Sequence, residues 1–267
     1  MKYFLFVFLF TFSKLSYAVE NPWDRPLPFK EATVEYQVDG TMKGSKTIYI
    51  RNYGRESAEY SDLSMSMFGM RQVQKEIEIT TPEWVYHVDL EEGIGSKQTN
   101  PIKYFRQEFD RLSKSEQKTV VKNAEKYGLS MVEGMQGEVK KNAAKLHGYQ
   151  CDMTKIMGSE VYSISGTGFP LKVVSNAMGM TQKEEAVKLS KGAVPTEKFA
   201  LPDGIEFKSD PQVDKMMQEQ AKAVIQNLLK GETAGSAQRN AFEQDPENEL
   251  SPEQQQQLQQ MMKMFNQ

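Results

Sequence analysis

Histidine and cysteine are nearly missing from this chain, with two His and one Cys in 267 residues. His87 and His147 stand in neither a metal-binding nor a catalytic spacing, and a zinc site needs a Cys/His cluster. Cys151, alone, cannot close an internal disulfide. It reads as a buried thiol acting as a small apolar residue on a strand. His147, four residues earlier, is its only local basic neighbour, and strand geometry holds residues four apart about 13 Å from each other. A Gly-x-Ser-x-Gly elbow and a phosphate-cradling glycine loop are absent as well. The carboxylates are spread along the chain as on a solvated surface. These absences argue against an enzyme and against a bound cofactor.

Long hydrophobic runs are also scarce. The longest, Tyr3 to Phe12, follows a basic start at Lys2. It is shorter than the about twenty residues needed to span a bilayer. Small residues at Ser16 and Ala18 complete the pattern of a secretory leader cut after Ala18. No Cys directly follows that point, so lipid anchoring there is excluded. Losing the leader removes Lys2 and Lys14 and takes the net charge from −3 to −5. Such a chain has no general attraction for nucleic acid. The expectation is a soluble periplasmic protein that is not membrane-integral.

What the chain does have is period-two alternation. Val34, Tyr36 and Val38 alternate with Glu35, Gln37 and Asp39. Ile48 and Ile50 follow, then Ala58 and Tyr60, then Val73, Ile77 and Ile79 among Gln and Glu. Trp84, Tyr86, Val88 and Leu90 close the series. This predicts a sheet with one wet and one dry face, and the dry face needs a cover.

The period then changes. Pro101 opens a helical segment with Ile102, Phe105 and Phe109 on one side. Ser113 and Glu116 form a capping box for a second helix ended by Gly128. These two helices are the expected cover. Strands return near Gly148, over 149–157, 160–165 and 170–176, and 181–190 reads as one more. A helix follows Pro211, with Val213, Met217, Ala221, Val224 and Leu228 on one stripe and Gly231 as its stop. Ahead of all this, Pro22, Pro26 and Pro28 around Trp23 make 19–30 an extended lead-in. The domain plan is therefore a leader at 1–18, one domain over 19–230, and a polar linker with a short amphipathic helix over 231–267.

The order of elements, together with Trp84-Val-Tyr-His-Val-Asp-Leu90, Glu185-Ala-Val-Lys-Leu189 and Phe199-Ala-Leu-Pro-Asp-Gly204, resembles the periplasmic lipoprotein-carrier (LolA/LolB-like) half-barrel fold and the uncharacterised secreted domain families around it. The resemblance spans roughly Phe29 to Phe207. It implies an α+β fold, a curved antiparallel incomplete β-barrel with helices covering the concave face, plus C-terminal helices. It also implies carriage of an apolar ligand.

Methionine is the compositional excess, at sixteen residues. Met65, Met67 and Met70 form one cluster, and Met178 and Met180 repeat the style. Thioethers serve as adaptable apolar lining or as ligands for Cu(I). The main expectation is a non-enzymatic periplasmic carrier of a lipid, an acyl chain or an apolar or lipidated peptide segment. Met65, Met67, Trp84, Tyr86 and Phe105 are its expected lining. The runner-up is a Cu(I)-binding protein using Met65, Met67 and Met70. A third reading is an envelope assembly factor whose tail helix, Ser251–Gln267, docks on a partner protein.

Overall fold

The computed structural model describes residues 19–67, 70–127, 138–156, 158–177 and 180–232. The expected leader at 1–18, the helix stop at Gly128, nearly all of the linker and the tail helix Ser251–Gln267 lie outside the described residues.

The described chain is mostly β. Six strands come first: β1 (Ala32–Gly40), β2 (Met42–Arg51), β3 (Glu56–Met67), β4 (Met70–Thr80), β5 (Trp84–Asp89) and β6 (Ile94–Thr99). Helices α1 (Pro101–Asp110) and α2 (Lys114–Tyr127) follow. Five more strands succeed them: β7 (Glu138–Leu146), β8 (Tyr149–Ile156), β9 (Ser159–Ile164), β10 (Pro170–Ala177) and β11 (Met180–Lys191). The two-residue β12 (Phe207–Lys208) and the long α3 (Pro211–Lys230) close the described chain. All twelve strands join one open sheet in the order β12-β6-β5-β4-β3-β2-β1-β11-β10-β9-β8-β7. Two meanders thus meet where β1 pairs antiparallel with β11. No helix among the described residues is long and apolar enough to cross a membrane.

One strand, read in the sequence as Glu56 to Ser61, is longer than expected, and another is not read there at all. The third strand runs on to Met67, because its soft Met-Ser alternation is held by register with β4. Strand β7, unread in the sequence, pairs with β8 although its register shifts between Lys140 and Ala144. Its Lys and Ala residues carry little β propensity, so pairing with a neighbour, not local preference, makes it a strand.

The alternation holds along each strand, but the dry face is not continuous. Cross-strand partners share a face. One row runs Val34, Ile48, Glu59, Glu78, His87, Ser96 across β1 to β6. It starts buried and apolar and is polar from Glu59 onward. The row beside it, on the other face, runs Thr33, Tyr49, Ala58, Ile79, Tyr86, Lys97. The apolar face therefore changes sides between β2 and β3. Val85, expected on the wet face, is buried, on the same face as Ile50. Leu90, expected on the dry face, lies beyond the end of β5 and is 44% exposed.

Two apolar clusters follow from this switch. The first joins Val34, Tyr36, Ile48 and Ile50 to Cys151, Ile164 and Leu171 of the second meander. Leu27 and Phe29 of the lead-in complete it. The second joins Ala58, Ile77, Ile79 and Val88, with Phe199, Ile205 and Phe207 packed on them. Gly95 makes room for that cover, since a Cβ there would press on Ile205 and Phe207.

The helices bury their stripes elsewhere. Phe109, Val120, Ala124, Val224, Ile225 and Leu228 form a third cluster with Trp23 of the lead-in. The packing on the sheet strands thus comes from the lead-in and from 199–207, not from the expected α1 and α2. The stripes of α1 and α2 each pack on α3, and Trp23 completes the cluster. The helix starts match their sequence signals. Asn100 accepts from the Ile102 N–H, and Asp210 from the Gln212 N–H at 2.8 Å. The Ser113 N–H donates to the Glu116 carboxylate at 2.8 Å, one half of the capping box. Gly231, at φ 78°, terminates α3 in the left-handed conformation.

Candidate functional site

The register gives the sheet two unlike ends. At one, Thr80, Trp84 and Thr99 lie beside the helices. The Thr99 N–H donates to Asp214 of α3, and the Asn100 amide donates to the Thr81 carbonyl at 2.7 Å. At the other end lie the β1–β2 turn and the paired strand ends Met67 and Met70, Ile156 and Ser159, and Ala177 and Met180.

The expected lining residues do not come together. Phe105 stacks on Trp23 at 5.0 Å inside the helical cluster. Tyr86 sits on the second face, its ring edge-on to Phe207 at 5.3 Å, so the protein's own β12 already covers it. Trp84 shares that face at the helical end, beneath the Lys97 ammonium. Met65 lies on the opposite face, at the turn end, directly across from Met42 and Gln72. The backbone register puts Met67 opposite Met70 in the same hairpin. Alternation gives each strand its parity but cannot say which face of a neighbouring strand it matches. The expected lining therefore mixes two faces of the sheet with a helix.

Sequence reading missed two features of the first face. One is a groove of about 250 Å³ between β3 and β6, where Glu59, Glu76, Glu78, His87 and Asp89 stand beside Ile77, Val88 and Ile94. Beside it the Lys46 ammonium lies 3.3 Å from Glu59 and 2.9 Å from Glu184, tying β3 to β11 across β1 and β2. Burial works against the charge on Lys46, but the two carboxylates outweigh it and hold its pKa above the ordinary value. Burial dominates at Glu59 and pushes its carboxyl up. Lys46 opposes that rise, while Glu184 and Glu78 add to it. Tyr36, beneath, is raised mainly by burial and donates its hydroxyl to the Pro170 carbonyl at 2.7 Å. His87 lies 3.2 Å from Glu78. Among the described residues no three His, Cys, Asp or Glu side chains are placed to hold a metal ion. The groove carries four carboxylates, and none of the expected lining residues borders it.

The other missed feature is Met42. It stands between Gly40 and Gly44, both at positive φ, where a Cβ would collide with the carbonyl oxygens of Thr181 and Asp62. These close approaches seat Met42 between β3 and β11. The Gln182 side chain then spends both of its polar atoms on the Met42 backbone. Its Oε1 accepts from the N–H at 2.9 Å, and its Nε2 donates to the carbonyl at 3.0 Å. Met42 and Met65, both half-buried, lie side by side on the first face, one row beyond the buried Val38 and Leu63. The flanking glycines were a visible signal. The partner across the strand was not, because Met65 is remote in sequence.

Cys151 is fully buried, and burial pushes its thiol up. His147 is not turned to it: the imidazole Nε2 lies 2.7 Å from the Ala186 carbonyl.

No protein-family model matches the chain, and no curated protein matches it. Among solved structures it is similar to an uncharacterised conserved protein from Thermus thermophilus, at 9% identity and a TM-score of 0.38, over 68% of this chain and 91% of that one. It is also similar to PNGF-II in two crystal forms, at 11% and 14% identity with TM-scores of 0.35 and 0.32. Those matches cover 70% and 72% of this chain and 33% of PNGF-II in each case.

Proposed function

We propose that this protein is a non-enzymatic periplasmic binding or carrier protein, and that its apolar ligand meets the sheet at the Met-bearing end. The observation that carries the reading is the row of half-buried Met42 and Met65 beside buried Val38 and Leu63. Thioether side chains are unbranched and polarizable, and they fit ligands of varied shape. Turn ends are ordinarily furnished with Gly, Asn, Asp and Ser. Apolar side chains there cost solvation unless something apolar covers them.

In this reading the sheet curls into an incomplete barrel of the lipoprotein-carrier kind, and the first face lines its concavity. Export follows from the leader over 1–18, with Val19 as the mature N-terminus. The intact mass of exported protein checks that start. The segment Ser251–Gln267, amphipathic in sequence, docks on a partner protein in this reading.

Solvent extraction of protein purified from its own source, followed by mass spectrometry, identifies the ligand as a lipid, an acyl chain or an apolar peptide. In parallel, the purified protein is titrated with N-phenylnaphthylamine as an apolar probe. The double variant Met42→Lys with Met65→Lys loses the probe, while Trp84→Ala on the opposite face keeps it. Absence of any co-extracted apolar molecule and of probe binding overturns the proposal, as does equal loss in both variants.

A further inference from the structure

We propose that Met42 and Met65 form the centre of a thioether site for Cu(I), assembled across β2 and β3. This inference does not depend on the apolar-ligand reading. Two residues from separate stretches converge through register alone, Met42 opposite Met65. The same register makes Met67 and Met70 the next methionine pair along the β3–β4 hairpin. Directly opposed residues stand about 4.5–5.5 Å apart at Cβ, within reach of two flexible thioethers that share one ion. Cu(I) is soft and selects thioether and thiolate donors. The thiolate option is closed, because the sole Cys is buried in the first cluster.

Three observations favour ligation over simple apolar contact. First, Met65 and Met42 are half-buried, so an ion can reach them without unfolding the strand. Second, the Met42 backbone is fixed. Gln182 clamps its N–H and its carbonyl, and the Thr41 N–H donates to the Thr181 carbonyl at 3.0 Å. A purely apolar contact gains little from such clamping, whereas a ligand held in place by its supporting shell binds a metal more tightly. Third, each of the two opposed side chains carries a sulfur lone pair that leucine or valine at the same positions would lack.

A thioether does not titrate, so Cu(I) binding here releases no proton and keeps its strength in acid. Sites built from His or Cys lose affinity as their ligands protonate.

The test is anaerobic competition for Cu(I) against bicinchoninate, at about pH 5.5 and about pH 7.5, the range over which histidine titrates. The wild-type protein withdraws one Cu(I), with equal affinity at both pH values. Met42→Leu with Met65→Leu, which roughly conserves volume, abolishes the uptake but keeps N-phenylnaphthylamine binding and the circular dichroism spectrum. Gln182→Leu weakens uptake by about 10- to 100-fold, the usual cost of losing a supporting contact. With Ag(I) as a redox-inert surrogate, the ε-methyl NMR signals of Met42 and Met65 shift in protein labelled at that carbon. Cu(I) uptake that survives the Leu pair, that falls with pH or that is lost in Cys151→Ser overturns the proposal, as does a wild type that cannot compete at all. Loss of probe binding with retained Cu(I) uptake would instead sink the apolar-ligand reading and leave the metal site standing.

Discussion

Single residues decide how closely the strands of this sheet approach. Gly44 lies at φ 151°, and a Cβ there would collide with the Asp62 backbone. Backbone cannot yield as a flexible side chain can, so Gly44→Ala is expected to cost about 2–4 kcal/mol through strain and overpacking together. A urea titration measures it, and an unchanged midpoint would show that β2 and β3 separate without penalty. Asp152 is the second such residue. Its carboxylate accepts from the Asn142 N–H at 2.9 Å and the Ser165 hydroxyl at 2.7 Å, and Lys141 lies 3.4 Å away. Burial pushes its pKa up, but these donors and the cation outweigh burial and hold it below the usual carboxylate range. A depressed folded pKa means that the stabilisation is present above the unfolded value, about 3.9, and is lost as pH falls through the folded one. Wild-type protein should therefore lose melting temperature on acidification below about pH 4, while Asp152→Asn should start lower and fall less. Parallel melting curves against pH would sink this account of the β7 bulge.

At the scale of elements, the lead-in is the fastener between the helices and the sheet. Trp23 stacks on Phe105 and meets Phe109 edge-on at 6.1 Å, while Asp24 pairs with Arg106 of α1 and lies 3.6 Å from Arg55. Four residues past Trp23, Leu27 enters the sheet's own cluster and bonds backbone to backbone with Tyr53 at 2.8 Å. Trp23→Ala is expected to remove about 3–5 kcal/mol, the usual cost of truncating a large buried aromatic. The loss should appear first as faster amide exchange in α1 and α3, with the central strands still protected. Uniform acceleration across helices and strands would mean that the helical cluster is not a separate cooperative unit. On the second face, the segment 199–207 is held by contacts of a different kind. The Tyr60 hydroxyl donates to the Lys198 carbonyl at 2.9 Å, and the Arg51 guanidinium lies 4.0 Å over the Phe199 ring. Gly95→Val should lift this cover and expose Tyr86, read as a rise in dye binding by the apolar second face.

For the whole molecule, an open sheet of twelve strands has two edges that must be kept from pairing with other chains. At one, β7 carries Lys140, Lys141 and Lys145 and a break in register. At the other, β12 is two residues long and α3 caps the end of β6 through Asp214 and Thr99. Both devices keep the edges from pairing with further strands. The described members of the three apolar clusters lie within residues 19–232, and the sequence after Gly231 is polar and aperiodic as far as Glu249, so removing 233–267 should leave the thermal midpoint nearly unchanged while altering binding of a partner. A large drop in the midpoint would place the tail in the core. The sequence by itself determined what depends on neighbours along the chain. Alternation marked the first strand around Val34, Tyr36 and Val38, the Pro101, Ser113 and Pro211 signals placed the helix starts, Gly231 placed an end, and the three prolines kept the lead-in extended. Tertiary structure alone decided which faces match. A period of two leaves each strand free to present either side to its neighbour, and only register settles the choice. That is why the apolar face changes sides between Ile48 and Ala58 without a local sign of it, and why Phe105 and Tyr86, expected as lining, pack against Trp23 and Phe207. Met42 meets Met65 for the same reason: residues remote along the chain become neighbours only when two strands are in register, and no local pattern encodes that distance.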